Sequence, residues 1–474
     1  MSGVDLDRDG VPTLAAAARA IAAGTLSPVA LTDWMLDRIA RLDGALSSYL
    51  LVTADAARAE AKAAEAEIRA GRLRGPLHGI PIALKDIYAT KGVRTTAHSR
   101  LLEDHVPDAD AMSVTKMAEA GAISLGKLAT HEFAMGGPSF DLPWPPARNP
   151  WNTDHFTGGS SSGTGAAVAA GLALGGFGSD TAGSIRLPAA FSGLAGLKPT
   201  YGRVSRAGVL PLAFSLDHAG PMCWTSEDCA LMLDAMAGFD PADPASAKVA
   251  PPRAAAAIGR DLRGLRLGVI RHFWEEAEAE AETVAALEAA VAVYKGLGAE
   301  IVEIRLSPLA DWTATGMLIM LTEAYAIHED KLKTVPELFG EKLRMRLLLA
   351  AAISGADYVQ ALRRRRELCA ELAEAFRGVD LMLTGATPGP APRIEEIGIY
   401  TLFQRPLLTM PFDVSGSPAL ATRAGFSASG LPLSLQLIGR PFDEATVLAA
   451  GHAYETATDW ASVRPAMAAA PVPA

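Results

Sequence analysis

Residues 158–188 read GGSSSGTGAAVAAGLALGGFGSDTAGSIRLP and place hydroxyl side chains at both ends of a glycine-rich segment. The serine run at 160–162 opens the segment, and Ser184 follows Ser160 by 24 residues. Most Gly- and Ser-rich segments are loops packed between helices. Here the apolar residues in between, AAVAAGLALGGF, are long enough to form a helix and return the chain. The sequence therefore predicts that the serine run and Ser184 can lie close together.

Helical and strand-like patterns alternate along the rest of the chain. Residues 13–74 are Ala-rich and predict helices, whereas GIPIALKDI (79–87), LRLGVI (265–270), DLMLTG (380–385) and GLPLSLQLIG (430–439) predict strands. Strong helical patterns precede or follow the later strands. This alternation predicts an α/β fold, a single large three-layer α/β/α domain whose sheet is covered by helices on both faces. We expect an N-terminal helical layer over 1–70, the main domain over 71–460 and a disordered tail over 461–474.

Composition excludes several classes of partner. The 474-residue chain carries a net charge of −10, which argues against nucleic acid because such binding needs clustered Lys and Arg. The acidic start, MSGVDLDRDG, has no apolar signal segment, and three cysteines without metal-site spacing are typical of a reducing compartment. We therefore expect a soluble cytoplasmic protein, monomeric or homodimeric, without a membrane or nucleic-acid partner.

The familiar catalytic motifs are missing, incomplete or out of their usual context. GAISLGKL (121–128) nearly matches a P-loop, but Leu128 stands where a Ser or Thr would bind magnesium. The chain contains no H-E-x-x-H, so zinc proteases of that type are excluded. G-x-S-x-G occurs as GSSSG at 159–163, but no strand is predicted directly before it, so we do not expect the nucleophile elbow of α/β-hydrolases. His131, in THEFAMGG, is more typical of a structural or pocket histidine than of a metal ligand. We predict no metal and no cofactor.

A serine nucleophile needs a group that takes its proton, and Lys85 is a candidate. It lies in an otherwise apolar strand, where desolvation would favour the neutral amine. Asp86 is adjacent in sequence, but side chains alternate between the faces of a strand. Considered alone, Lys85 would be interpreted as a surface or salt-bridged lysine rather than as a base.

These segments together resemble the amidase signature family. The glycine-rich segment fits the long Gly/Ser signature of that family, and Lys85 precedes Ser160 by 75 residues, a spacing typical of its members. GPLHGIPIALKDI, GKLATHEFAMGG, GLKPTYGRVSRAGVLPLAFSLDHAGPM and GLPLSLQLIGRPFDEATVLAAGHAYE are similar to its flanking blocks, in the same order. The resemblance covers residues 10–460. It is strongest over a core at 75–230 and weakest over a variable, pocket-forming region at 305–410, and it implies the family's twisted mixed sheet.

By that resemblance Ser184 is the nucleophile, Ser160 carries the proton, and neutral Lys85 receives it and returns it to the leaving amine. The family also implies a cis peptide bond between Gly159 and Ser160. The oxyanion would be bound by the backbone N–H groups of Thr181, Ala182, Gly183 and Ser184. Ala182 is a departure, since many members have glycine there, but it keeps the N–H donor.

Further residues are expected near this site. Asp180 and Arg186 would pair and hold the oxyanion loop, although an ion pair unrelated to catalysis is an equal alternative. We interpret Ser161 and Ser162 as loop-forming residues. The backbone of Met135 and Gly136 would line the acyl pocket, with simple packing as the alternative.

The implied function is amide hydrolysis, and the substrate is left open. The apolar stretches at 312–325 and 399–408 predict a hydrophobic acyl or aryl site, or else ordinary helix core. In the first case amides, and also carbamates (urethanes) and esters, would be substrates. One alternative is the glutaminase subunit of a tRNA-dependent amidotransferase, which GLKPTYGRVSRAG resembles. Such subunits usually carry a Tyr-Asp-Gly segment, and LIMLTEAYAIHEDKLKTV (318–335) is more like free-standing amidases. A non-catalytic binding protein is the other alternative.

Overall fold

The structure, a computed structural model, describes residue 6 and residues 10–469. Its strands are β1 Tyr49–Val52, β2 Pro81–Lys85, β3 Ile123–Leu128, β4 Gly175–Asp180, β5 Ala195–Lys198, β6 His218–Cys223, β7 Arg266–Val269, β8 Glu300–Glu303, β9 Leu381–Gly385, β10 Ala419–Phe426 and β11 Pro432–Gly439. Its α-helices are α1 Leu14–Ala22, α2 Pro28–Leu46, α3 Ala54–Arg69, α4 Met112–Glu119, α5 Ser162–Ala169, α6 Arg186–Ser192, α7 Ser226–Met236, α8 Arg271–Glu276, α9 Ala281–Gly296, α10 Leu309–Thr334, α11 Glu341–Ala350, α12 Gly355–Ala375, α13 Met410–Val414, α14 Glu444–Ala457 and α15 Ala466–Ala469. Short 3-10 helices are Arg100–Leu102, Glu132–Ala134, Ala255–Ala257, Pro336–Leu338, Ile394–Glu396, Thr401–Phe403 and Trp460–Ser462.

One sheet joins the strands described, in the order β1-β3-β2-β4-β6-β5-β10-β11-β9-β7-β8. Strand β2 runs parallel to β3 and β4, and β7 runs parallel to β8 and β9, while the remaining pairs are antiparallel. The strands β2, β4, β6 and β11 are buried along their whole length, as expected for strands covered on both faces. The predicted α/β fold with a mixed sheet is confirmed.

The N-terminal layer differs from the predicted all-helical one. Strand β1 lies between α2 and α3 and pairs antiparallel with β3, with Tyr49 opposite Leu128. YLLV is short and bounded by helical patterns, and its pairing partner lies more than 70 residues away. Local sequence gives no sign of that pairing, because a four-residue apolar run fits a helix equally well.

The connection between the two sets of hydroxyls is a helix followed by a strand. Helix α5 ends at Ala169, and residues 175–180, predicted as the end of the helix and a loop, form β4. Glycine fits β4 because neighbouring side chains occupy the space that a Cβ would take; at Gly175 a Cβ would lie 2.5 Å from Met232 Sδ. None of the helices in residues 10–469 is both long and apolar enough to cross a membrane.

The predicted C-terminal tail is ordered in its described part. Residues 461–469 include the end of a 3-10 turn and helix α15, and Ala468 is buried. The Arg38 guanidinium donates a hydrogen bond to the Ala468 carbonyl at 3.4 Å. Residues 470–474 lie outside the described part of the chain. The Ala- and Pro-rich composition suggested disorder, but the guanidinium on α2 supplies a donor that composition does not show.

Candidate active site

The candidate site forms where β2 and β4 end. Lys85 is the last residue of β2, and Ser179 and Asp180 are the last residues of β4. Because the two strands are parallel, their carboxyl ends lie at the same edge of the sheet. Ser160 precedes helix α5 at this edge. Ligands of α/β proteins commonly bind at such an edge, so the fold brings Lys85 and the serine run together as predicted.

Lys85 is completely buried and faces hydroxyl groups. Its Nζ lies 2.7 Å from Ser160 Oγ and 2.8 Å from Ser179 Oγ. Burial lowers the pKa of Lys85 to about 7, and the more distant carboxylates of Asp180 and Asp217 oppose the shift only in part. Lys85 can therefore lose its proton near neutral pH, far below the usual range of a lysine. Ser179 is not predicted from the sequence, because a serine among glycines resembles a loop residue.

Backbone contacts fix Ser160 beside Lys85. The peptide bond between Gly159 and Ser160 is cis. The Ser160 carbonyl accepts hydrogen bonds from the His131 N–H at 3.0 Å, the Ser162 N–H at 2.8 Å and Thr130 Oγ1 at 3.1 Å. Three donors on one carbonyl define the backbone position, and with it the direction of the side chain.

Ser184 lies at the surface of a cavity that Ser160 also lines. It is 9% exposed, and within residues 10–469 its hydroxyl has no hydrogen-bond partner, so it is open to a bound molecule. Ser161 Oγ donates to the Ser184 carbonyl at 2.6 Å and accepts from the Ser179 N–H at 3.3 Å. Ser161 thus connects the end of β4 to the turn that carries Ser184. We expected only a loop-forming residue here.

The turn at 180–186 leaves several backbone donors free. The Asp180 carboxylate accepts from the N–H groups of Gly183 at 2.6 Å, Ile185 at 3.1 Å and Arg186 at 3.3 Å. The Gly183 N–H is therefore already paired. In the described part of the chain, the N–H groups of Thr181, Ala182 and Ser184 have no partner. Gly183 has φ +122, and a Cβ there would lie 2.4 Å from Thr409 Oγ1, so this position requires glycine.

A buried ion cluster holds this turn. Arg186 Nε lies 2.9 Å from Asp180 Oδ2, and Arg186 Nη2 lies 2.5 Å from Asp413 Oδ2, with all three side chains fully buried. Burial alone would raise the pKa of Asp180, but the Arg186 guanidinium holds it well below its usual range. Burial raises the pKa of Asp413 well above its usual range, and the Arg186 guanidinium opposes that shift. Asp413 lies far along the chain, and no local pattern identifies it.

The cavity above Ser184 has a volume of about 480 Å³ and a largely apolar wall. Leu187, Phe156 and Phe191 contribute from the elements around the serine run, and Met320 contributes from α10. Residues 386–392 and 396–409 supply much of the remaining wall, together with Glu280 and Arg346. The apolar stretch at 399–408 therefore does line the cavity, whereas the stretch at 312–325 contributes Met320 and is otherwise mainly helix core.

Met135 and Gly136 occupy different surroundings. Met135 lines the cavity, but its carbonyl accepts a hydrogen bond from Arg346 Nη1. Gly136 is not part of the cavity wall, and its N–H donates to the Glu132 carbonyl at 3.0 Å. The Met135 carbonyl and the Gly136 N–H are thus already paired within the protein.

Replacing Arg186 should destabilise the fold strongly. Arg186→Met leaves the Asp180 carboxylate buried without its counter-charge, and breaking a buried pair from one side costs about 3 to 5 kcal/mol. Urea unfolding measures the loss. Arg363→Met, at an exposed position on α12, is the matched control and should change the free energy of unfolding by less than about 0.5 kcal/mol. Equal free energies of unfolding for the two variants would show that the Arg186 cluster does not stabilise the fold.

The chain is similar in sequence and in structure to known proteins. The sequence profile of the family described as Amidase matches residues 30–448. A relative from Geobacter metallireducens, named as a subunit of glutamyl-tRNA(Gln) amidotransferase, is 42% identical, over 92% of this chain and 95% of the relative. The X-ray structure of a peptide amidase from Stenotrophomonas maltophilia is 32% identical with a TM-score of 0.82, covering 94% of this chain and 97% of the other. The crystal structure of a bacterial aryl acylamidase is 25% identical with a TM-score of 0.86, covering 98% and 99%.

Proposed function

Because the chain belongs to the amidase family, we propose that it hydrolyses carboxamides through an acyl-enzyme on Ser184. The observation that carries this proposal is the 2.7 Å hydrogen bond between the buried Lys85 amine and Ser160 Oγ, beside a cavity that exposes Ser184. A buried lysine with a pKa of about 7 is available as a base at neutral pH. The hydroxyl of Ser160 can accept one proton while donating another.

In the first step Ser184 Oγ attacks the substrate carbonyl carbon. Its proton passes to Ser160 Oγ, and the Ser160 proton passes to neutral Lys85, which becomes an ammonium. The carbonyl oxygen gains negative charge, and the free N–H groups of Thr181, Ala182 and Ser184 are the donors for it. Such preorganised donors account for about 3 to 4 kcal/mol each in related acyl transfers.

In the second step the C–N bond breaks and the leaving nitrogen needs a proton. The Lys85 ammonium returns one through Ser160, so the amine leaves neutral and the acyl group stays on Ser184. Water then attacks the acyl-enzyme by the same route and releases a carboxylic acid. Asp180 and Arg186 act indirectly, because they hold the turn that carries Ser184 and the oxyanion donors.

The cavity favours a hydrophobic acyl or aryl group. Phe156, Phe191, Leu187 and Met320 line it, and apolar walls bind apolar groups by removing them from water. Amides with bulky aliphatic or aryl groups are therefore the first candidate substrates. Carbamates and esters also present a carbonyl to Ser184 and belong to the same proposal.

A second candidate is the glutaminase subunit of an amidotransferase. The names of curated relatives at about 40% identity support this candidate better than a free-standing amidase. Glutamine carries a carboxylate and an ammonium, and Arg346, Arg405 and Glu280 in the cavity wall provide charges of both signs. In this case the chain would act with partner subunits, and ammonia rather than the acid would be the useful product.

Removing the nucleophile should abolish turnover. Ser184→Ala should lower kcat by about 10⁴-fold or more, while circular dichroism and melting temperature stay close to those of the parent. Ser162→Ala is the matched control, since it removes a hydroxyl from the serine run but keeps the N–H bond to Ser160. Retained turnover in Ser184→Ala would point to a non-catalytic binding protein or to another nucleophile.

The pH dependence of kcat/KM should reflect the protonation state of Lys85. Because Lys85 must be neutral to take the proton, kcat/KM should rise about tenfold per pH unit below pH 7 and level off above it. Ser179→Ala removes one of the two hydroxyls that accept from the ammonium form, so the pKa of Lys85 falls and the rising limb moves to lower pH. If the rising limb of the kcat/KM profile lies at the same pH in Ser179→Ala as in the parent, the limb does not reflect the protonation of Lys85.

A matched substrate panel separates the two candidates. We expect the highest kcat/KM for an anilide or a branched aliphatic amide, with carbamates and esters also cleaved. Turnover restricted to glutamine, together with co-purification of partner subunits from the native cell, would instead establish the amidotransferase function.

A further inference from the structure

Helix α11 is docked on the loop that lines one side of the cavity. The Glu132 carboxylate accepts from the Gly340 N–H at 2.9 Å and from Ser99 Oγ at 2.6 Å. Asp141 Oδ2 accepts from the Glu341 N–H at 2.8 Å. Carboxylates stabilise a helix N-terminus because the first N–H groups lack partners within the helix. These contacts fix α11 relative to residues 132–141.

Lys342 joins two segments of the cavity wall. Its Nζ donates to the Pro138 carbonyl at 2.7 Å and also to the Ile397 carbonyl. Pro138 belongs to the segment 135–138, which is continuous with the docking loop. Ile397 belongs to the segment 394–405, which also contributes to the cavity wall.

Arg346 repeats this arrangement one helical turn later. Its Nε donates to the Ile399 carbonyl at 2.9 Å, and its Nη1 donates to the Met135 carbonyl. Residues at i and i+4 share a helix face, so Lys342 and Arg346 reach the same two segments. A Cβ on Gly137, which has φ +80, would lie 3.5 Å from both side chains, so they pack against this turn. We call the two side chains the clasp.

The acceptors of the clasp are neutral carbonyls. Within the described residues neither Lys342 nor Arg346 forms a salt bridge. Burial, followed by repulsion from Arg346, lowers the pKa of Lys342 to about 8, and burial lowers that of Arg346 to about 10. Hydrogen bonds from charged donors are stronger than those between neutral groups, so four of them form a firm connection.

The clasp supplies the hydrogen bonds that join the middle of the segment 394–405 to the rest of the described chain, while Ile394 and Ile397 pack against Phe156 and Phe191. It has two 3-10 turns and no longer helix or strand. In residues 395–404 of the structure, the hydrogen bonds to residues outside 393–405 are those from the clasp. The segment is anchored at its start by the bond from the Ile394 N–H to the Asp154 carbonyl, 3.0 Å, and beyond its end by the bond from the Leu407 N–H to Thr313 Oγ1, 2.9 Å.

We propose that Lys342 and Arg346 are specificity-determining residues, because the clasp sets the width of the cavity over Ser184 and so limits the acyl groups that enter. The proposal rests on the proposed function of this cavity as the substrate site. With the clasp closed, Ile397, Thr401 and Leu402 form a fixed wall. Without it the segment can move outward, and larger acyl groups fit.

The test uses Lys342→Met, which keeps the apolar stem and removes both hydrogen bonds, in the full-length protein. Loss of two charge-assisted bonds should speed hydrogen–deuterium exchange of residues 395–404 by roughly tenfold or more. The ratio of kcat/KM for a bulky amide to that for a short-chain amide should rise. Lys342→Arg keeps a cation with several donors and should restore both values. Arg344→Met is the control, because Arg344 Nη1 contacts the Pro336 carbonyl, outside the cavity wall.

Three outcomes would overturn the proposal. The first is unchanged exchange at 395–404 in Lys342→Met. The second is faster exchange in the central strands as well, which would indicate a general loss of stability. The third is faster exchange at 395–404 with an unchanged ratio of kcat/KM for the bulky and short-chain amides. This result would show that the clasp does not determine substrate specificity. The exchange measurement needs no substrate, so it remains informative if the proposed hydrolysis fails.

Discussion

The burial of the Lys85 amine among hydroxyl groups is the constraint on which the rest of the site depends. Burial lowers the pKa of Lys85 to about 7, and this holds only while no carboxylate touches the amine. A carboxylate at the same distance would stabilise the ammonium and remove the base. The hydroxyls of Ser160 and Ser179, at 2.7 and 2.8 Å, suit both protonation states because they can donate as well as accept. The parallel pairing of β2 and β4 supplies this geometry.

The ion cluster behind the turn satisfies the same constraint. Asp180 follows Ser179 directly, and its charge raises the pKa of Lys85. Arg186 binds Asp180 with full burial of both, so the positive charge of Arg186 offsets the negative charge of Asp180. Burial remains the largest influence on the pKa of Lys85, and it lowers that pKa despite Asp180. The same Asp180 carboxylate occupies the Gly183 N–H, which bends the turn so that other N–H groups stay unpaired. The Asp180–Arg186 pair therefore has two effects. It limits the influence of the Asp180 charge on Lys85, and it leaves backbone N–H groups of the turn free to bind an oxyanion.

The sequence predicted the parts of the site that local patterns encode. Lys85 lies in a recognisable strand, and Ser160 and Ser184 lie in a long signature, so their proximity followed from motif and spacing. Ser179 and Asp413 were missed for different physical reasons. Ser179 lies in a strand built from glycines, where composition favours a loop, and Asp413 reaches Arg186 across 227 residues. The cavity mouth could not be predicted either, because its wall depends on Lys342 and Arg346 binding backbone carbonyls, which every residue type possesses.

The binding of backbone carbonyls by Lys342 and Arg346 explains why the family of this chain is easier to identify than its substrate. Side-chain donors that bind carbonyls fix the path of the segment 394–405 without restricting its side chains. The wall can therefore change its chemistry while the core that holds Lys85 and Ser184 stays the same. Proteins named for amidotransferase, peptide amidase and aryl acylamidase functions match more than nine-tenths of this chain. A shared core with an independently held wall is the arrangement that permits such divergence.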